Sequence, residues 1–289
     1  MTPASTVPTT DITSAAPLMR TTAPYKIAEE TYLIPNVIPA GPDVVVGMNS
    51  MLIRGKEPVV VDTGTPLHSP HWFDMVLSLV DPKDIRWVFL SHDDGDHVGS
   101  LRKLMEMAPN ATVVSNFFMK ERMSVEHCAP PLNRMRWLAA GESFDAGDRT
   151  LHLVTPPIFD GPTTRGLYDP STKVLWAVDT FACMKPTEAY ELDDIPAPLY
   201  DETFAMFNSL ISPWHEWIDP VKYNAHIDEL ERLDVDVAAS AHGPVLRGEQ
   251  IHDGYERVRV LAGQPRIAGP GPELLDQMIA MASVPTQLP

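Results

Sequence analysis

Four candidate metal ligands, His92, Asp94, Asp96 and His97, fall within six residues in the pattern His-x-Asp-x-Asp-His. A tight loop can aim alternate residues at two neighbouring ions, whereas a helix or strand would scatter them. The competing reading is a polar loop that caps the next helix through Asp94 or Asp96. Two distant segments separate these readings. Asp179 stands in Ala177-Val178-Asp179-Thr180, and His242 in Ser240-Ala241-His242-Gly243-Pro244. Asp62, His92, Asp179 and His242 each follow a β-branched or aromatic run. Strand ends that deliver His and Asp to loops describe one composite site.

The elements that must position these residues can be read from the pattern. Residues 44–53 and 58–62 read as two strands joined by a turn at Arg54-Gly55-Lys56-Glu57. Residues 72–80 have helical apolar spacing. Trp87-Val88-Phe89-Leu90 is a buried strand that runs into the histidine segment. A helix over 98–107 and strands over 112–115, 150–154, 174–178 and 235–239 follow. Asp219-Pro220 opens an amphipathic helix over 221–233, and a last helical stretch covers 273–282. Strands in both halves with helices between them indicate an α/β fold, an αββα sandwich of two sheets covered by helices.

Composition sets limits. The chain has 289 residues, of which 44% are hydrophobic, enough for a sizeable core. A net charge of −17 repels nucleic acid and anionic membranes. No apolar run reaches the roughly 20 residues that a bilayer requires. Residues 1–24 are rich in Thr, Ser, Ala and Pro and lack the apolar stretch of a signal peptide. We expect a disordered tail there, a metal domain over 25–262, a C-terminal accessory segment over 263–289, and a cytoplasmic location. Cys128 and Cys183 are too few for a disulfide framework or a zinc cluster.

His-x-[His/Glu/Asp]-x-Asp-His after a buried strand resembles the signature of the metallo-β-lactamase superfamily. Val59-Val60-Val61-Asp62-Thr63-Gly64 resembles its first motif, Asp179 its bridging aspartate and His242 its last histidine. Gly47-Met48-Asn49-Ser50-Met51-Leu52-Ile53 and Pro157-Ile158-Phe159-Asp160-Gly161-Pro162 narrow the resemblance to the diiron domain of flavodiiron proteins and to stand-alone oxygen-binding diiron proteins. The sequence departs from that group twice. Asp94 stands where the group has Glu, and Asp160 where it has His. The chain ends at Pro289 without a flavodoxin-like stretch, so a separate electron-transfer protein is the expected partner.

The resemblance implies a ligand set. His92, Asp94 and Asp160 would hold one ion, and Asp96, His97 and His242 the other, with Asp179 bridging. Asp96 and Asp179 would also act in catalysis. Three neutral imidazoles and four carboxylates cancel the charge of two divalent ions. Hydrolytic zinc prefers histidine-rich ligation that leaves positive charge to acidify water. Carboxylate-rich ligation suits iron or manganese. We therefore expect two metal ions, iron before zinc or manganese, in a protein that binds or reduces O2 or a related diatomic. Two alternatives stay open: a dinuclear hydrolase of an ester, thioester or lactone, and an O2 sensor without turnover. The partners expected are a small-molecule substrate or O2 and a homo-oligomer, with no nucleic acid and no membrane.

Weaker signals read as structure. His152 alternates with apolar residues and should face solvent. His68 and His71 read as surface-loop residues near Asp62. His127, His215, His226 and His252 carry no usable spacing, so solvent or capping roles are expected. Asp62 should support the metal loop by hydrogen bonds. Residues 188–202 hold six acids and no base, which reads as a solvated loop, with a lid or donor-docking surface as the sharper option. Trp214 and Trp217 read as core packing.

Overall fold

A computed structural model describes residues 23–40, 43–126 and 128–282. Most of the tail expected over 1–24, and His127, lie outside the described residues. The first half of the chain forms β1 (Tyr25–Ala28), β2 (Thr31–Ile34), β3 (Val37–Pro39), β4 (Val45–Gly47), β5 (Ser50–Ile53) and β6 (Val59–Val61). It continues through α1 (Ser69–Leu79), β7 (Trp87–Phe89), α2 (Gly95–Val98), α3 (Leu101–Met107), β8 (Thr112–Ser115), α4 (Phe117–Val125) and β9 (Met135–Trp137). The second half forms β10 (Ser143–Asp145), β11 (Thr150–Val154), β12 (Gly166–Asp169), β13 (Val174–Trp176) and β14 (Met184–Lys185). Then come α5 (Ala197–Ile211), α6 (Pro220–Glu231), β15 (Val237–Ala239), β16 (Val245–Arg247), α7 (Glu249–Arg259) and α8 (Pro272–Ala282).

One sheet has seven strands in the order β1-β2-β5-β6-β7-β8-β9, and the other six in the order β10-β11-β12-β13-β15-β16. Period-two alternation decides what each strand buries. Val59, Val61 and Phe89 point between the sheets, where they meet Leu151, Leu153, Trp176 and Val245. Val60, Val88 and Val113 point outward and meet Trp72, Phe73, Val76, Leu101 and Leu104 of α1 and α3. On the second sheet, Leu175, Ala238 and Leu246 face Phe204 of α5, Ile227 of α6 and Tyr255 of α7. The layers are therefore helix, sheet, sheet, helix, the αββα sandwich of the metallo-β-lactamase type.

The run over 44–53 is not one strand. It breaks at Met48-Asn49, and β4 leaves to form a small sheet with β3 and β14. The break is stabilised because Asn49 N donates to Ala241 O at 2.9 Å and Met48 N to Asn36 O at 2.7 Å. These bonds take the place of ladder bonds. The helix expected over 98–107 is also divided, at Gly99-Ser100. A Cβ at Gly99 would collide with Pro66 N, so only glycine lets this turn pack on the loop after Asp62.

Lys185 is a charged side chain in an apolar layer. It is 1% exposed, its Nζ donates to Ala189 O, and it lies 5.3 Å from the Tyr190 ring centroid. Burial pushes its ammonium down to about 8 from the ordinary 10.5. The folded value lies below the unfolded one, so the fold carries the full penalty below about 8 and loses it as pH rises to 10.5. That penalty is about 3 kcal/mol, against about 1 kcal/mol gained from the hydrogen bond. Lys185→Met should therefore raise stability at pH 7 by about 2 kcal/mol. Urea unfolding checks this, and the advantage over the unaltered chain should shrink by pH 10.5.

Candidate metal centre

Two parallel strand pairs, one in each sheet, carry most of the site. β6 and β7 run parallel, so the loop at Asp62 and the segment over 91–97 leave the same sheet edge. The ligand segment is a loop only to Asp94, and Asp96 and His97 stand on the single turn α2. β13 and β15 run parallel in the other sheet, so Asp179 and His242 leave together. The loop between β11 and β12 adds Asp160. Tight exits are required, and the backbone shows it. Asp62 sits at φ +58°, Val178 at +56° and Phe181 at +72°, in the left-handed region that side chains disfavour. A β-branched residue there, directly before Asp179, marks strain held in place by packing. Gly243 lets the His242 turn approach, because a Cβ would collide with Phe181 O.

All seven side chains singled out from the sequence converge. Ligand atoms of His92, Asp94 and Asp160 lie within 4.8 Å of one another, as do those of Asp96, His97 and His242. Those of His92, His97 and Asp179 form a third such group between them. Asp179 Oδ2 is 3.8 Å from His92 Nε2, and Oδ1 is 3.6 Å from His97 Nε2 and 3.3 Å from His242 Nε2.

The outer nitrogen of each imidazole is tied down. His97 Nδ1 is 3.0 Å from Asp62 Oδ2, His242 Nδ1 is 2.8 Å from Gly47 O, and His92 Nδ1 is 3.1 Å from Ser91 Oγ. A proton on each Nδ1 leaves all three Nε2 atoms as lone pairs turned toward the carboxylates. Asp62 is the hub of this support. Its carboxylate accepts from Ser91 N and Ser91 Oγ at 2.7 Å and from Trp176 Nε1 at 3.0 Å.

The charges are not at rest without a cation. Burial pushes the Asp94 carboxyl up, and its bond and repulsion with Asp160 add to this, to about 7. Burial pushes His97 down, but Asp62, Asp96 and Asp179 outweigh it and hold the ring near 10. Burial pushes Asp179 up, yet the three imidazoles hold it well below the usual carboxylate range. His97 Nε2 and Asp179 Oδ1 are buried with no hydrogen-bond partner. Two orphaned ligand atoms facing each other are what a bound cation would satisfy, so the donor set fits the expected metal.

Sequence reading missed a second layer. Asp93 is buried and accepts from Thr163 Oγ1 at 2.8 Å, while Arg122 Nε lies 2.7 Å from its other oxygen. Asn49 Nδ2 donates to Ser240 O and Gly243 O and so braces the His242 turn. An oxygen or nitrogen side chain in a run of apolar strand residues was the only signal for Asn49.

His215 was expected in a solvent or capping role. It is buried instead, bonded to Ser209 Oγ at 2.8 Å and Leu261 O at 2.8 Å. His152 faces solvent and His226 bonds Thr155 O. His68 and His71 are half-buried, and Trp214 packs at a tilt against Phe159. Trp217, expected in the core, is 76% exposed because it ends a short turn at the surface. The acidic stretch over 188–202 is largely exposed, as a solvated loop is, with Asp193, Asp194, Asp201 and Glu202 open to solvent, but Glu191, Asp193 and Asp201 are partnered. Arg247 pairs with Glu191 and Arg257 with Asp201, both at 2.8 Å or less, and Gln250 bonds Asp193.

Residues 46–243 match the family described as ODP family beta lactamase. A diflavin flavoprotein A 1 of Nostoc sp., a putative assignment for that protein, is 27% identical over 71% of this chain and 34% of its own length. A flavo-diiron protein of Clostridium acetobutylicum is 25% identical over 70% of this chain and 50% of its own. The chain thus spans a third to a half of the length of these curated relatives. The solved rubredoxin oxygen:oxidoreductase of Desulfovibrio gigas shares the fold, with a TM-score of 0.73 at 17% identity over 83% of this chain and 62% of that one. Because the family match takes in well over half of the sequence, and the sandwich and strand-end loops accord with it, the chain belongs to the ODP beta-lactamase family.

Proposed function

We propose that this protein is a non-haem diiron protein that binds or reduces O2 or a related diatomic. The observation that carries this is the set of three imidazoles, each anchored at Nδ1, whose Nε2 atoms face four carboxylates around the orphaned pair His97 Nε2 and Asp179 Oδ1. His92, Asp94 and Asp160 would hold one iron, and Asp96, His97 and His242 the other, with Asp179 between them. Bound iron would supply one-electron chemistry and a place for the diatomic.

The chain's own residues then have defined tasks. Asp62 keeps His97 in the tautomer that offers Nε2, and Gly47 O does the same for His242. Four carboxylates against three neutral imidazoles stabilise ferric over ferrous iron and blunt the Lewis acidity that a hydrolase requires. The Clostridium relative is a flavo-diiron protein and the Desulfovibrio neighbour an oxygen oxidoreductase, which supports the same reading. Electrons would come from an electron-transfer partner.

Protein loaded anaerobically with ferrous iron should hold about two irons per chain. On exposure to O2 it should oxidise within seconds, followed by near-UV absorbance. Zinc-loaded protein that cleaves esters or thioesters at about 10 per second, beside an iron form inert to O2, would replace this reading with a hydrolase.

His242 lies far along the chain from the main cluster, yet its ring meets Asp96 and Asp179 at 3.4 and 3.3 Å. His242→Ala should retain the fold and lose about one of the two ions. Elemental analysis reads this directly, and unchanged metal content would remove His242 from the ligand set.

A further inference from the structure

Arg122 stands on α4, away from the ligand loops in sequence, yet it reaches them. Its Nε lies 2.7 Å from Asp93 Oδ2 and its Nη2 3.7 Å from Asp94 Oδ1. A Cβ built on Gly161 would lie 3.7 Å from Nη1, so the guanidinium fills the gap between Asp94 and the segment that carries Asp160. The two carboxylates differ in burial. Asp93 is 3% exposed and Asp94 43%.

The anchoring is a closed circuit. Asp93 spends its other oxygen on Thr163 Oγ1, and Thr163 O accepts from Asn116 Nδ2 at 3.1 Å. Asn116 caps α4 by accepting from Met119 N, and α4 carries Arg122. The circuit thus joins the three segments that bear Asp94, Asp160 and Arg122. An exposed ion pair contributes little, but a buried carboxylate holds its partner firmly, because losing that partner strands a charge.

We infer that Arg122 is a positioning residue of the metal centre: pinned by Asp93, it holds Asp94 toward His92 and Asp160 and sets a positive charge beside the carboxylate-rich half. This rests on the diiron reading. The fixed charge opposes ferric iron in that half, so the centre is easier to reduce than its carboxylates alone would make it. Lys120, nearby on α4, is paired with Glu121 at 2.7 Å and is turned to other use.

The test is a redox titration of the full-length iron-loaded chain with Arg122→Gln, Arg122→Lys and Asp93→Asn. Metal content of the unaltered chain comes first: fewer than about two irons would sink the diiron reading itself, whatever Arg122 does. Gln keeps an amide donor for Asp93 but not the charge, so Arg122→Gln should lose some melting temperature yet retain its iron. At a fixed potential near the midpoint its ferrous-to-ferric ratio should fall about three- to fivefold, the scale of one half-exposed charge. Arg122→Lys should restore most of that ratio. In the Asp93→Asn background, where the anchor is gone, Arg122→Gln should shift the ratio by less than half as much. A ratio in Arg122→Gln equal to that of the unaltered chain would overturn the proposal. So would a full shift in Arg122→Lys, or an undiminished one in the Asp93→Asn background.

Discussion

The buried carboxylate of Asp62 is the joint on which the rest of the structure turns. It lies at the end of β6, takes two hydrogen bonds from Ser91 after β7, and takes one from Trp176 on β13 of the opposite sheet. Its contact with His97 Nδ1 then fixes which nitrogen of that ring faces Asp96 and Asp179. One desolvated anion thereby sets the spacing of two parallel strands, the separation of the two sheets and the tautomer of a central imidazole. Each bond satisfies a donor that the sandwich would otherwise bury unpaired, at about 1–3 kcal/mol apiece.

The site is held against backbone preference. Asp62, Val178 and Phe181 occupy left-handed conformations, and each such residue costs about 1–3 kcal/mol. The apolar layers on both sides of each sheet, where Val59, Val61, Phe89 and Trp176 are fully or almost fully buried, resist relaxation of these turns. Two of these residues, Val178 and Phe181, flank Asp179 where it leaves the second sheet. A rigid scaffold that over-determines its loops keeps four carboxylates together, although they repel one another.

Much of the site was legible because the motif is local. His92, Asp94, Asp96 and His97 lie on one short segment, a loop that runs into α2, and Asp179 and His242 each follow an apolar run, so residue type and place spoke together. The layer order was legible from strands in both halves of the chain with helices between them. What could not be read was pairing across distance. Asp93, Thr163 and Arg122 look like ordinary polar loop and helix residues until the fold joins them. Glu191 and Asp201 looked unopposed because their partners Arg247 and Arg257 come 56 residues later. The strand pair β4 and β5 looked continuous, because nothing in the apolar pattern shows that Met48 and Asn49 bond to other segments. His215 was misplaced for the same reason: a polar ring is buried only if both nitrogens find partners, and those partners are tertiary.

The seven convergent side chains are not distributed evenly, and the difference has chemical consequences. Around His92 the partners are two carboxylates, Asp94 and Asp160, and both are part-exposed at 43% and 32%. Around Asp96 the partners are two imidazoles, His97 and His242, at 1% and 12%. On the two-iron reading, the first half presents hard oxygen ligands toward solvent and the second presents nitrogen ligands in the interior. Charge is thus concentrated where water can still solvate it, and the neutral ligands lie where solvation is lost. Arg122 stands on the exposed, oxygen-rich side, where a positive charge offsets the most repulsion at the least desolvation cost. A reversed arrangement would bury the carboxylate pair beside the Trp176–Asp62 hub, where desolvation is most costly.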